Sequence, residues 1–164
     1  RRAAGSACSN GSAVEAARVA AAVSPAMNTA GHVERLARLF PDAPALAHGD
    51  ELVATYGGLR ARVAALAGGL LGQLGLAPGD RVAIVMPNAP AYVELLLACW
   101  WAGLAAVPVN ARLHAREIAF ILDHSGARVA FVSGATAEAV ADAARELGDA
   151  APRVVDAGSA DLAR

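Results

Sequence analysis

The chain has 164 residues and a formal net charge of −1; hydrophobic residues make up 56% of it and charged residues 18%. That composition excludes disorder through most of the chain and supplies enough apolar material for one core, or for part of a larger one. Near neutrality removes the electrostatic case for nucleic acid or an anionic membrane as partner, and the 14 basic residues are all Arg, so chemistry that needs a lysine lies outside these residues.

Residues 1–26 are Ala, Ser and Gly with scattered charge and no period, and they are expected to form a disordered leader ahead of Met27. Arg1-Arg2 is not followed by the apolar core of a twin-arginine signal, because Glu15 and Arg18 interrupt the Ala-rich stretch. Cys8 lies in that tail and Cys99 in an apolar run, which suits neither a disulfide framework nor a zinc site. The longest apolar stretch, residues 91–109, is broken by Glu94, Gly103 and Pro108, short of the roughly 20 residues that span a bilayer. A cytoplasmic location is expected.

From residue 27 the pattern is regular. Val33, Leu36, Ala37, Leu39 and Phe40 fit a short amphipathic helix ending at Pro41. Residues 45–47 and 52–55 read as strands around the turn Gly49-Asp50. Leu59, Val63, Leu66, Leu70, Leu71 and Leu74 then mark one helical face, closed by Gly75, with Gly68 and Gly69 expected to allow close packing. After the turn Pro78-Gly79-Asp80, residues 81–86 form an apolar strand of the kind covered on both faces. Asn88 is placed to cap the next helix, 89–102, which is apolar nearly all round and is expected to lie buried between layers. A strand at 105–109, a helix at 115–124 burying Ile118, Ile121 and Leu122, and a strand at 128–132 follow. A helix near 136–147 and a last strand at 154–155 close the series. Helices alternating with apolar strands specify an α/β fold, a parallel sheet with helices on both faces.

Few motifs carry chemistry by spacing alone. No Gly-rich loop ends in Lys-Ser or Lys-Thr. Gly68, Gly69, Gly72 and Gly75 sit in or at the end of a helix, not in the strand-to-helix turn that a dinucleotide pyrophosphate requires. Residues 133–136, Ser-Gly-Ala-Thr, do occupy such a turn, and helix capping is their expected role. His114 and Glu117 share a helix start but lack a second His for a metal site. His124 before Ser125-Gly126 reads as a helix C-terminus, Asp80-Arg81 as a surface turn, and Trp100-Trp101 as core. No catalytic residue and no metal ligand is assigned.

Several segments in order carry a resemblance. Thr55-Tyr56-Gly57-Gly58-Leu59 is followed by Gly75-Leu76-Ala77-Pro78-Gly79-Asp80-Arg81-Val82 and Met86-Pro87-Asn88-Ala89-Pro90-Ala91-Tyr92. Then come Trp101-Ala102-Gly103-Leu104-Ala105-Ala106-Val107-Pro108-Val109-Asn110, Ala111-Arg112-Leu113-His114-Ala115-Arg116-Glu117-Ile118 and Asp123-His124-Ser125-Gly126-Ala127-Arg128-Val129. From Met27 to Val132 the chain resembles the opening of the adenylate-forming (AMP-binding) superfamily, in the form found in acyl- and aryl-CoA ligases.

That resemblance implies a partial N-terminal AMP-binding domain over residues 27–164, ending before the loop that handles the ATP phosphates. It implies ATP-dependent activation of a carboxylic acid to an acyl-adenylate and transfer to coenzyme A, with ATP, Mg²⁺ and coenzyme A as cofactors of the full-length enzyme. The partners are then a carboxylic acid, coenzyme A and the remainder of the polypeptide. The Lys-bearing loop and the C-terminal catalytic lysine of that family have no counterpart here, so the chain alone is expected to be inactive. Gly58 stands where the family has Glu or Asp, which removes a first-turn charge of about 0.3–1 kcal/mol. Arg112 matches a position near the nucleotide phosphate of coenzyme A, where a guanidinium can pair with phosphate. A stand-alone α/β binding or scaffold module, and a fragment of a peptide-synthetase adenylation domain, are the alternative readings.

Overall fold

The computed structural model describes residues 28–158, so the expected leader at 1–26 and Cys8 lie outside the described residues. Helix α1 (Ala30–Leu39) packs Ala30, Val33 and Ala37 inward. Its first turn is served by Asn28, whose Oδ1 accepts the Ala30 N–H at 2.9 Å. Strands β1 (Pro44–His48) and β2 (Glu51–Thr55) form a separate antiparallel hairpin with an irregular register between Pro44 and Ala47. Thr55 ends it and caps α2 (Tyr56–Gly72), its Oγ1 accepting the Gly58 N–H at 3.3 Å. That bond serves an orphan donor where Gly58 brings no acidic side chain. Gly57 also sits tightly, because a Cβ there would meet the Pro41 carbonyl oxygen at 3.1 Å.

The main sheet comprises β3 (Arg81–Val85), β4 (Ala105–Val109), β5 (Val129–Val132) and β6 (Arg153–Asp156), all parallel, in the order β4-β3-β5-β6. Helix α3 (Pro90–Trp101) joins β3 to β4, α4 (Ala115–Ser125) returns to β5, and α5 (Ala137–Leu147) leads to β6. The two faces divide by strand periodicity. Val82, Ile84, Val129 and Phe131 face α2 and α3, whereas Ala83, Val85, Ala130 and Val132 face α4 and α5. This is why β3 and β5 carry apolar residues at consecutive positions: both faces are covered. Phe131 and Ile84 are fully buried, each contributing about 1.5–3 kcal/mol by removal from water.

Helix α3 differs from the expectation of burial all round. Leu95, Leu97, Ala98 and Cys99 are buried, but Tyr92, Val93, Leu96, Trp100 and Trp101 are half-buried against the same core. Glu94, which interrupts the apolar run in sequence, is 4% exposed. Arg62 of α2 reaches it, with Nη2 at 2.9 Å from Oε1 and 3.0 Å from Oε2. Burial pushes the Glu94 carboxyl above its usual range, against the opposing pull of the guanidinium. Asn88 does not cap α3; Ala89 holds that place without a side-chain bond, and Pro90 in the first turn needs no donor partner. At Gly68 the expected close packing does not occur, since open space surrounds it, while Gly69 is buried.

The amino-terminal end of the sheet is tied together by charge. Asp80 Oδ2 accepts the Ala77 N–H at 2.8 Å and pairs with Arg128 Nη1 at 2.5 Å. The Ala77 amide, foremost, holds the Asp80 carboxyl below its usual range; burial opposes it, and Arg128 adds to the lowering. Arg81 donates from Nε to the Ser125 carbonyl at 2.8 Å and from Nη2 to the Gly126 carbonyl at 3.1 Å. The residues read in sequence as a surface turn therefore close the C-terminus of α4. Gly126 sits there in the left-handed region at φ 60°, after His124 in the last turn.

Candidate functional site

The chain direction creates a crevice at the carboxyl ends of the strands. β3 is followed by α3 on one face, while β5 is followed by α5 on the opposite face, and the two strands are neighbours. Connections that leave adjacent strands toward opposite faces open a gap between them, and in open α/β sheets that gap is where ligands bind. A cleft of 670 Å³ lies there. One wall is the segment after β3, residues 86–88, with Tyr92 from α3. A second comes from the end of β4 and its loop, residues 108–112, and a third from Ala135 and Thr136 in the turn before α5.

Arg112 lies in this cleft, exposed, and carries the charge among the described residues that line it. Its guanidinium has no acidic partner among the described residues, so its charge is free to meet an anion. The loop that carries it is held locally: Asn110 Oδ1 accepts the Arg112 N–H at 3.0 Å, a side-chain turn that spares a backbone partner. Asn88 adds an amide to the lining, while Met86, Tyr92, Pro108 and Val109 supply an apolar side.

The turn at 133–136 behaves differently from the capping role expected of it. Thr136 is the residue before α5, yet its hydroxyl makes no bond to the helix. It accepts the Ser133 N–H at 3.1 Å and donates to the Val85 carbonyl at 2.5 Å, joining the end of β5 to the end of β3. Ser133 Oγ is buried with no hydrogen-bond partner among the described residues. His114 and Glu117 fall outside any metal set. Glu117 Oε2 accepts the His114 N–H at 3.0 Å and closes the start of α4. Among the described residues no group of three or more His, Cys, Asp or Glu could hold a metal ion. Trp100 and Trp101 pack against the core and do not line the cleft.

Among the described residues that line the cleft, Arg112 is the charged one, Tyr92 supplies a phenol, and there is no carboxylate, imidazole or thiol. The sequence model of the AMP-binding enzyme family matches residues 33–163, which takes in every residue lining the cleft and every described strand and helix except the first turn of α1. This chain belongs to the AMP-binding enzyme family. A feruloyl-CoA synthase from Amycolatopsis sp is 48% identical over 107 residues, covering 65% of this chain and 21% of that protein. The long-chain-fatty-acid–CoA ligase FadD13 of Mycobacterium tuberculosis is 42% identical over 92 residues, 56% of this chain and 18% of the ligase. The crystal structure of the N-terminal domain of FACL13 from Mycobacterium tuberculosis superposes with a TM-score of 0.72 at 32% identity. That superposition covers 80% of this chain and 34% of the other. The matched part of this AMP-binding chain thus spans 18–21% of the length of these two curated relatives, and its structural counterpart is an N-terminal domain.

No helix among the described residues is long and apolar enough to cross a membrane. Cys99 is buried, and its burial pushes the thiol up to about 12, which removes it from nucleophilic chemistry near neutral pH.

Proposed function

We propose that this chain is the N-terminal part of an AMP-forming acid–CoA ligase that activates a carboxylic acid as its acyl-adenylate and passes the acyl group to coenzyme A. The observation that carries the reading is Arg112, without an acidic partner among the described residues, in the crevice at the sheet's switch point of a chain of the AMP-binding family. Arg112 is the residue that would hold a phosphate of the coenzyme A nucleotide, with Asn88 and Asn110 beside it to satisfy polar edges and Tyr92 to pack against a flat group. When bound, coenzyme A supplies the thiol that accepts the acyl group; the residues here bind and orient it. The sequence has no lysine to meet the ATP phosphates, and on this reading the adenylation chemistry belongs to the remainder of the polypeptide.

On this reading residues 27–164 are a partial AMP-binding domain behind a leader at 1–26, the enzyme is cytoplasmic, and the chain by itself turns over no acid. The experiment is performed on the full-length protein. Carboxylate-dependent ATP–pyrophosphate exchange is measured over a panel of acids, beginning with a hydroxycinnamate and a long-chain fatty acid because those classes occur in the names of its relatives. Arg112→Ala should raise the KM for coenzyme A about three- to ten-fold, a value reduced for an exposed guanidinium. Exchange, which precedes the thiol step, should not change. An unaltered KM for coenzyme A would remove Arg112 from the site.

A further inference from the structure

Thr136 is 2% exposed, and its hydroxyl spans 51 positions of sequence to reach the Val85 carbonyl at 2.5 Å. A threonine at the start of a helix ordinarily turns its oxygen to a helix N–H. Here that oxygen instead accepts the Ser133 N–H at 3.1 Å, with no bond to α5. Val85 is the last residue of β3 and immediately precedes the cleft wall at 86–88. Ser133 follows the last residue of β5, and the turn it opens forms the facing wall. The connections beyond these strands diverge to opposite faces of the sheet, so this hydroxyl is a side-chain link across the gap they leave.

We propose that Thr136 is a positioning residue for coenzyme A, its hydroxyl tying the turn after β5 to the end of β3 and so setting the width of the crevice that Arg112 faces. The proposal rests on the assignment of that crevice to the coenzyme A nucleotide. Thr136 lines the cleft but acts through the walls it joins. Without the link, the turn at 133–136 is held only by the Val85–Val132 ladder pairing and its own backbone bonds, and its distance from the loop at 110–112 is set less tightly. Small displacements of binding groups matter because affinity and rate both depend on preorganised geometry.

The test uses the full-length enzyme and two readouts. One is the Kd of adenosine 3′,5′-bisphosphate by calorimetry, which needs no turnover; the other is the KM for coenzyme A beside the rate of carboxylate-dependent ATP–pyrophosphate exchange. Thr136→Val keeps the shape and removes the hydroxyl, and it should raise both constants about three- to ten-fold, the size of one neutral hydrogen bond. Exchange should stay within about two-fold, and Thr136→Ser, which keeps the hydroxyl, should restore both constants to within about two-fold of the parent. Unchanged constants in Thr136→Val, an equal shift in Thr136→Ser, or a parallel fall in exchange would each overturn the proposal. Should Thr136→Val not fold, Thr136→Cys is judged by the same criteria. Arg112→Ala separates the two levels of the argument. If it leaves the Kd unchanged, the crevice is not the nucleotide site; if it weakens binding while Thr136→Val does not, only the role of Thr136 falls.

Discussion

Glu94 gives a sharp test of how the α2–α3 layer is held. The Glu94 side chain is 6% exposed, whereas the Arg62 side chain that meets it is 51% exposed. Removing one partner of a fully buried pair costs about 3–5 kcal/mol, because the survivor is left charged and dry. With Arg62 half in water the attraction lost is smaller, and Arg62→Ala should cost about 1–2 kcal/mol at neutral pH. Glu94→Gln keeps the volume and removes the charge, and should lie within about 1 kcal/mol of the parent, since replacing a buried pair is often neutral. Once Glu94→Gln is in place, adding Arg62→Ala should cost under about 0.5 kcal/mol, leaving a coupling near 1 kcal/mol. Urea unfolding followed by tryptophan fluorescence suits the measurement, because Trp100 and Trp101 lie on the same helix as Glu94. The pH dependence follows from the direction of the shift. A carboxyl raised in the fold contributes stability that is present below its unfolded pKa, near 4.3, and is lost as pH rises through the higher folded value. Removing Arg62 takes away the group that favours the charged form. The cost of Arg62→Ala should therefore shrink as pH falls toward 4.3. Equal costs of Arg62→Ala in the parent and in the Glu94→Gln variant would refute the argument.

Two further predictions rest on single sites. Gly126→Ala should destabilise by about 1–3 kcal/mol in urea unfolding, because the residue adopts φ 60° and a Cβ would lie 2.8 Å from Arg81 Nη2. With Cys8 replaced by Ser, Cys99 should resist a thiol reagent at pH 8 and react only at the rate of unfolding, its thiol being buried and pushed up to about 12. Rapid labelling of the native protein would show that α3 opens locally.

The elements were legible because each carries its own period. The continuous apolar runs at β3 and β5 state that both faces are covered, and Gly126 after His124 states where α4 stops. The errors fall where a polar residue had two possible partners. Asn88 has the chemistry of a cap, but Ala89 takes the capping place and Asn88 lines the cleft instead. Thr136 also has that chemistry, yet a carbonyl 51 positions away lies within its reach. Glu94 looked like an interruption because Arg62, 32 positions earlier, lies on another helix. No local pattern encodes such pairings; they depend on which elements the topology makes neighbours. Asn110 is the exception, since an Asn two residues before Arg112 at a strand end is a local side-chain turn signal.

The distribution of arginines separates the two ends of the sheet. At the amino end, Arg128 is paired with Asp80, and Arg81 donates to the last carbonyls of α4, so those guanidinium charges are already answered within the fold. At the carboxyl end, Arg112 has no such answer among the described residues and stands in a cleft without a carboxylate. On the proposed reading, an arginine held in place by its own loop and without a counter-ion among the described residues is the group that would meet a ligand's negative charge. Pro108 supports the same division. It lies near the end of β4, a strand paired on one side only among the described residues, where a proline's missing N–H is tolerated. The arginine side chains at the amino end are thus bonded within the fold, while Arg112 stands at the carboxyl end, where the strand order opens a gap.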